Sequence, residues 1–245
     1  MIVCLDSGNS RIKWGAYDGR QWLAQGAVAH ADIGQLGHLV RGWPHPDKVM
    51  LANVAGAEAG ARIREQLAAW LPVFFEARSE ARRCGVTNLY SNPGQLGVDR
   101  WCALIGARGL SQSAALVVMA GTATTIDTLD ADGNFLGGMI LPGGELMRRS
   151  LAIDTAALPF ADGGHADYPR CTDDAIVSGT IEAQVGAIER AWHRLGNIDK
   201  VCLLSGGNAA SLAPHLGFRW RAVDNLPMEG LIRLALVACP TDHET

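Results

Sequence analysis

The sequence predicts an α/β protein built twice from one plan, and three observations carry that prediction. Apolar runs of strand length alternate with stretches whose apolar residues recur every three or four positions. The order strand, glycine turn, strand, Asp-Gly turn, strand over residues 2 to 28 returns over residues 115 to 141. The two glycine turns, at Gly8 and Gly121, lie 113 positions apart in a chain of 245, which points to a duplicated domain and not to a short-period array. Each half, residues 1–110 and 111–245, is expected to be a mixed β-sheet with flanking helices. Ligands in such sheets bind outside the carboxyl ends of the strands.

Ile2 to Leu5 is an apolar run that ends in Asp6 and the small turn Ser7-Gly8-Asn9-Ser10. It reads as a buried strand delivering a carboxylate and bare N–H groups to one point. Ile12, Trp14 and Ala16 alternate with Arg11, Lys13 and Gly15, and Asp18-Gly19 closes a hairpin into a third strand from Trp22 to Val28. A helix is expected at 31–41, a strand at 49–52, a helix at about 57–70 and a short strand at 72–75. Residues 76–96 break the rhythm with Arg78, Arg82, Arg83 and a polar stretch from Thr87 to Leu96, a long loop of the kind that is more often functional than idle. Gly97-Val98-Asp99-Arg100 then leads into a helix from Trp101 to Leu110.

The second half restarts with strands at 115–119, 125–129 and 135–141, the first two joined by Ala120-Gly121-Thr122-Ala123-Thr124. Pro142-Gly143-Gly144 opens a helix at about 145–152, and the glycine-rich stretch Ala161 to Tyr168 is expected to be an exposed loop. The longest helical pattern runs from about Asp173 to Leu195, carries Val177, Ile181, Val185, Ile188 and Trp192 on one stripe, and stops at Gly196. A strand from Val201 to Ser205, a helix through Leu212, a strand at 218–223 and a helix at 229–237 complete the chain.

Composition bounds the function. A hydrophobic fraction of 48% with 19% charged residues belongs to a soluble globular protein, and a net charge of −4 without any basic block argues against a nucleic-acid surface. Six scattered cysteines, Cys4, Cys84, Cys102, Cys171, Cys202 and Cys239, form no CxxC or CxxH pair, which suits reduced thiols in a cytoplasm. Neither a signal peptide nor a membrane span is expected, because no apolar run approaches about 18 residues. The seven histidines show no metal-ligand spacing and are given no role.

Three glycine turns follow apolar strands: Asp6 to Ser10, Ala120 to Thr124, and Ser205-Gly206-Gly207-Asn208. In the first, Gly8 lets a phosphate approach the main chain, Ser7, Asn9 and Ser10 add neutral hydrogen bonds, and Lys13 supplies a positive charge. Asp6 requires a divalent cation or its waters between itself and a phosphate. The same residues are also ordinary hairpin chemistry. Asp99 reads either as a helix N-terminal carboxylate or as a reacting group. Asp127 reads as a second carboxylate near a metal or as a polar residue facing solvent, and Arg100 as a ligand or as the partner of a surface acid. G-x-x-x-x-G-K-[ST] and G-x-G-x-x-G are both absent, against a P-loop or Rossmann site.

In combination these residues resemble the actin-like ATPase superfamily, in which two ribonuclease-H-like domains close on ATP, and within it the type III pantothenate kinases. The resemblance is carried by Asp6 to Lys13, by Tyr90-Ser91-Asn92-Pro93 with Gly97 to Trp101, by Gly121 to Asp127, by Gly137-Gly138 with Pro142-Gly143, and by the late Ser205-Gly206-Gly207 and Glu229-Gly230-Leu231. It implies a nucleotide cleft between the domains and transfer of the ATP γ-phosphate to the primary hydroxyl of pantothenate, the first step toward coenzyme A. Asp99 would accept the hydroxyl proton, and Tyr90, Gly97, Val98 and Arg100 would hold pantothenate. Asp6, Ser7, Gly8, Asn9, Ser10, Arg11, Ile12 and Lys13, with Thr122, would hold the ATP phosphates and Mg²⁺, the metal at Asp6; Asp127 is the candidate second metal carboxylate from the reading of the residues above. The resemblance further implies a cytoplasmic homodimer with Thr180 in a substrate pocket at the interface. Met119 stands where many relatives carry the aspartate that binds potassium or ammonium, which leaves that dependence open, since a thioether does not replace a carboxylate for a hard cation. Two other readings share the fold: a non-catalytic transcriptional accessory factor, and a kinase for another hydroxylated acceptor.

Overall fold

β1 (Ile2–Ser7) is buried at every position, as a strand paired on both edges and covered on both faces must be. In the computed structural model, which describes residues 1–237, it is the middle strand of a five-stranded sheet. β2 (Arg11–Tyr17) and β3 (Trp22–Ala29) continue from it antiparallel, while β4 (Lys48–Asn53) and β5 (Phe74–Glu76) lie parallel on its other side. The helix expected at 31–41 is a 3-10 stretch, His30–Leu36, that runs into the short α1 (Gly37–Gly42). Glycines at 34 and 37 weaken a continuous α-helix there. α2 (Ala57–Gln66) likewise ends early, in a 3-10 turn over Ala68–Val73 that contains Pro72.

The side chains of β1 divide between two cores. Val3 and Leu5, with Ile12 and Ala16, pack on Ile63, Leu67 and Trp70. Ile2 and Cys4, with Met50 and Ala52, pack on Cys102 of α3 (Val98–Leu110) and on Met228, Leu231, Ile232 and Ala235 of the closing helix (Leu226–Leu236). Between β5 and α3 the expected long loop is partly ordered as a hairpin of β6 (Arg82–Arg83) and β7 (Val86–Asn88). Its turn residues, Cys84 at φ 48° and Gly85 at φ 77°, both take the left-handed conformation that tight hairpins favour.

The second half repeats the plan. β8 (Ala114–Ala120), β9 (Ala123–Leu129) and β10 (Asn134–Pro142) form an antiparallel meander, and β11 (Lys200–Ser205) and β12 (Arg221–Ala222) add to β8 in parallel. The order β10-β9-β8-β11-β12 matches β3-β2-β1-β4-β5 in both sequence and strand sense, so the duplication predicted from the glycine turns is present. α4 (Gly144–Asp154), α5 (Thr172–Arg194) and α6 (Ala209–Leu212) accompany this sheet. Leu116, Val118, Ile126 and Leu204 bury Val185 and Ile188 of α5, the apolar stripe read from the sequence. The last strand is only two residues long, shorter than the run expected at 218–223.

From the sequence, the second domain is expected to span residues 111–245. In the structure the second compact unit is 111–225, and the closing helix lies with residues 1–110. Close helix packing is the reason. A Cβ on Gly106 of α3 would lie 2.5 Å from the Leu226 carbonyl oxygen, and one on Gly230 would overlap the Cys102 carbonyl, so the two helix backbones touch where glycines remove the side chains.

Candidate functional site

In the first unit, β1 carries Asp6 to its carboxyl end, where the Gly8 N–H donates to the Arg11 carbonyl (3.2 Å) and closes the turn into β2. Asn9, Ser10 and Arg11 are exposed around it. Two of the residues expected to touch phosphate do not present side chains. Ser7 is fully buried with its hydroxyl unpartnered in the protein, and Ile12 is a core residue, so each can offer only its main chain. His30 is a residue that sequence reasoning missed. Its Nε2–H donates to the Gly8 carbonyl at 2.7 Å and braces the turn from behind. Only the meeting of the end of β3 with the β1–β2 turn reveals it.

Asp6 is 7% exposed and shares a face of β1 with Cys4. Its direct cross-strand neighbour is Lys13. Burial lifts the Asp6 pKa from an ordinary 3.8 to about 6; Lys13 acts in the opposite direction, and the Asp99 charge adds to the rise. Asp6 and Asp99 are therefore electrostatic neighbours, although 93 positions separate them in sequence.

Asp99 lies in the first turn of α3, which starts at Val98 and so takes in residues expected to precede it. Its Oδ1 accepts from the Arg100 N–H at 2.8 Å. A Cβ at Gly97 would come within 2.6 Å of that oxygen, so glycine at 97 makes room for the carboxylate. Arg100 is only 5% exposed, which overturns the reading of it as the partner of a surface acid. Its Nη1 donates to the Tyr90 hydroxyl (3.2 Å) and its guanidinium lies over the Tyr90 ring. The loop carrying Tyr90 is held by its own asparagines. Asn88 accepts from the Tyr90 N–H and donates to the Pro93 carbonyl, and Asn92 accepts from the Gly94 N–H. Val98 packs against the core under β1.

In the second unit, two of the three glycine turns interlock. The Gly121 N–H donates to the Ala123 carbonyl, Asn208 donates through its side chain to the Gly121 carbonyl (3.1 Å), and the Gly143 N–H donates to the Thr122 carbonyl (2.9 Å). Gly143 and Gly206 sit so close to the 120–122 backbone that any Cβ there would collide with it. Thr122 is exposed at the tip. Met119 is paired across the sheet with Thr125 and Ser205, a set that offers a thioether and two hydroxyls and no carboxylate. Asp127 is fully buried, so the solvent-facing reading is wrong. Paired with Val117, it lies three rungs, about 10 Å, along β9 from the Ala120–Thr124 pair at the turn.

Thr180 on α5 is buried, and its hydroxyl donates to the Val177 carbonyl at 2.9 Å. Beside it Gln184 accepts from the Thr124 hydroxyl at 2.6 Å and donates to the Thr180 carbonyl at 2.9 Å. The stretch expected to be an exposed loop, Ala161 to Tyr168, is tied to this unit. Ala161 is fully buried and its carbonyl accepts from Arg148, while Gly164, His165 and Ala166 bond to Asp174, Glu182 and Ser178 of α5.

A magnesium ion fits the donor set of the first unit. Mg²⁺ keeps several waters and needs only one or two carboxylates besides phosphate oxygens, so a buried Asp6 whose charge is disfavoured suffices. No cluster of three or more His, Cys, Asp or Glu suited to an all-protein metal cage exists among the described residues. A monovalent-cation site built on an aspartate does not fit, because Met119 occupies that position.

Comparison with known proteins gives the family and the fold. The family described as type III pantothenate kinase matches residues 2–194. A type III pantothenate kinase from Dechloromonas aromatica is 72% identical over 236 residues, covering 96% of this chain and 99% of that one. Among solved structures, a Campylobacter jejuni protein described as a Baf-family transcriptional activator aligns with a TM-score of 0.63 at 20% identity, covering 95% of this chain and 96% of that chain. The activator of 2-hydroxyisocaproyl-CoA dehydratase from Clostridium difficile, determined with ADPNP bound, aligns with a TM-score of 0.54 at 11% identity, covering 95% and 91%. At these identities the two structures speak for the fold alone, the duplicated ribonuclease-H-like fold of actin-like ATPases.

Proposed function

This chain belongs to the type III pantothenate kinase family, whose members phosphorylate pantothenate with ATP in coenzyme A biosynthesis, and from that premise we propose which of its residues do the work. Asp99 is the base. The primary hydroxyl oxygen of pantothenate bonds to the γ-phosphorus, the bond from phosphorus to the ADP oxygen breaks, and the hydroxyl proton passes to the Asp99 carboxylate. Phosphoryl transfer depends on positioning and charge neutralisation, so this carboxylate orients the hydroxyl more than it activates it. The observation that carries the reading is the placement of Asp99 in the first turn of α3, folded over Gly97 and next to the buried Arg100–Tyr90 pair. The planar guanidinium of Arg100 suits the pantothenate carboxylate, with Tyr90, Gly97 and Val98 around it.

The main chain of Ser7 to Ile12 and the side chains of Asn9, Ser10, Arg11 and Lys13 hold the ATP phosphates in the first unit, and Thr122 does so in the second. When bound, Mg²⁺ neutralises phosphate charge, and Asp6 is the residue to hold it. Asp127, deep in its sheet, has no part in this reading. The protein acts in the cytoplasm as a homodimer. In support, no described helix is long and apolar enough to cross a membrane. Also in support, α4 buries none of its residues within the chain, and Leu146, Ile153, Phe160 and Tyr168 are exposed on it and on the segment after it. Thr180 belongs to the pantothenate pocket at that dimer interface.

The test is ADP release with and without pantothenate. Asp99→Asn should lower turnover at least about a hundredfold while leaving the fold intact, the scale of a lost general base. Near-normal turnover in a folded Asp99→Asn protein would remove the assignment. The same assay with sugars and hydroxy acids tests for another acceptor, and ADP release that ignores pantothenate would leave the accessory-factor reading. Exchange of potassium for a bulky organic cation at constant ionic strength should change turnover by no more than about twofold, because Met119 offers a hard cation no carboxylate. Steep activation by potassium would show that another group serves it.

A further inference from the structure

Gln184 is 3% exposed in the middle of α5, and both ends of its amide are in use. The carbonyl oxygen accepts from the Thr124 hydroxyl at 2.6 Å, and the NH2 group donates to the Thr180 carbonyl at 2.9 Å. Thr124 is fully buried and stands two residues after Thr122, at the start of β9. A third segment closes on the same amide. A Cβ at Gly144, the first residue of α4, would lie 3.4 Å from Gln184 Nε2 and 3.8 Å from the Thr180 hydroxyl. The residue before it, Gly143, is hydrogen-bonded to the Thr122 carbonyl.

We propose that Gln184 is a positioning residue, whose side-chain amide sets the separation between the Gly121-Thr122-Ala123 turn and the α5 face carrying Thr180. The inference rests on the reading above, in which Thr122 serves ATP and Thr180 serves pantothenate. One amide then couples the placement of two substrate contacts that lie on different elements of the same unit. A buried glutamine is suited to this because it accepts and donates along one rigid plane, and its partners admit no other roles: the threonine hydroxyl must donate to Oε1, and the helix carbonyl must accept. Loss of either bond leaves a buried polar atom unpaired, so the two elements shift to re-satisfy it.

The experiment compares Gln184→Met, similar in length but without the amide, with Thr124→Val and Thr124→Ser, in steady-state kinetics for both substrates with far-UV circular dichroism as the control for folding. Gln184→Met should fold, raise KM for pantothenate and lower kcat/KM about tenfold or more, the effect of a displaced positioning group. Thr124→Val should give a loss of similar size, Thr124→Ser should retain most of the activity, and the double variant Gln184→Met/Thr124→Val should be no worse than the poorer single variant. Folded Gln184→Met with both KM values and kcat within about twofold of wild type would overturn the proposal. So would equal activities of Thr124→Val and Thr124→Ser, a comparison that holds even if Gln184→Met does not fold. Thr122→Ala and Thr180→Ala serve as controls. If they leave both KM values unchanged, the site assignment fails; if they impair binding while Gln184→Met does not, only the coupling fails.

Discussion

A carboxylic acid at the end of a fully buried strand has a cost that depends on pH, and Asp6 is that residue. Its folded pKa of about 6 stands above the ordinary 3.8, so between those values the folded chain holds a proton that the unfolded chain has released. Stability from this group is therefore lost as pH rises from about 4 to about 6, and stays lost above that range. A displacement of this size corresponds to about 3 kcal/mol. Without ligands, Asp6→Asn should melt higher than wild type at pH 7.5 and at the same temperature near pH 4, although it should be inactive. Thermal melts at the two pH values check this, and a wild type more stable than the variant at pH 7.5 would show that the buried charge is already compensated. Asp6 and Asp99 stand out as candidates in the sequence because each lies two positions from a glycine, close to an apolar run. His30 and Gln184 do not, since each acts on a residue far from it in sequence and its neighbours spell only a strand end and a helix stripe.

At the scale of elements, the packing of α3 against the closing helix decides more than helix propensity does. Gly230 is in a helix interior, where alanine would ordinarily be better by about 1 kcal/mol. A methyl group there, however, overlaps the Cys102 carbonyl, a backbone atom with no rotamer to yield. Overpacking of this kind costs about 1–3 kcal/mol or more and exceeds the propensity gain. Gly230→Ala should therefore lower stability by about 2 kcal/mol in denaturant unfolding, with the m-value unchanged. A neutral or stabilising result would mean that the helices separate freely. Element type was readable wherever periodicity was strong, as in α5, expected at 173–195 and found at Thr172–Arg194. It failed where glycine and proline divide a pattern, as in the 3-10 stretches at His30–Leu36 and Ala68–Val73, because spacing cannot tell i→i+3 from i→i+4 bonding.

For the whole molecule, the closing helix is the element with the largest consequence. It comes from the far end of the chain, yet Met228, Leu231, Ile232 and Ala235 complete the core beneath Ile2, Cys4 and Met50 of the first unit. A chain ended at Asn225 should lose cooperative unfolding of the first unit, because one face of its sheet would be left open. Circular dichroism melts and limited proteolysis of the shortened chain measure this, and a sharp transition like that of the full chain would show that the helix is dispensable. By itself the sequence determined the repeated strand order, the three glycine turns and the family signature, since these are written in short-range patterns of apolar residues and glycines. Only the tertiary structure decided which unit the last helix completes, that Asp127 is sealed inside its sheet, and which side chains brace the turns. Those outcomes depend on close approaches between residues tens to hundreds of positions apart, and no local period records them.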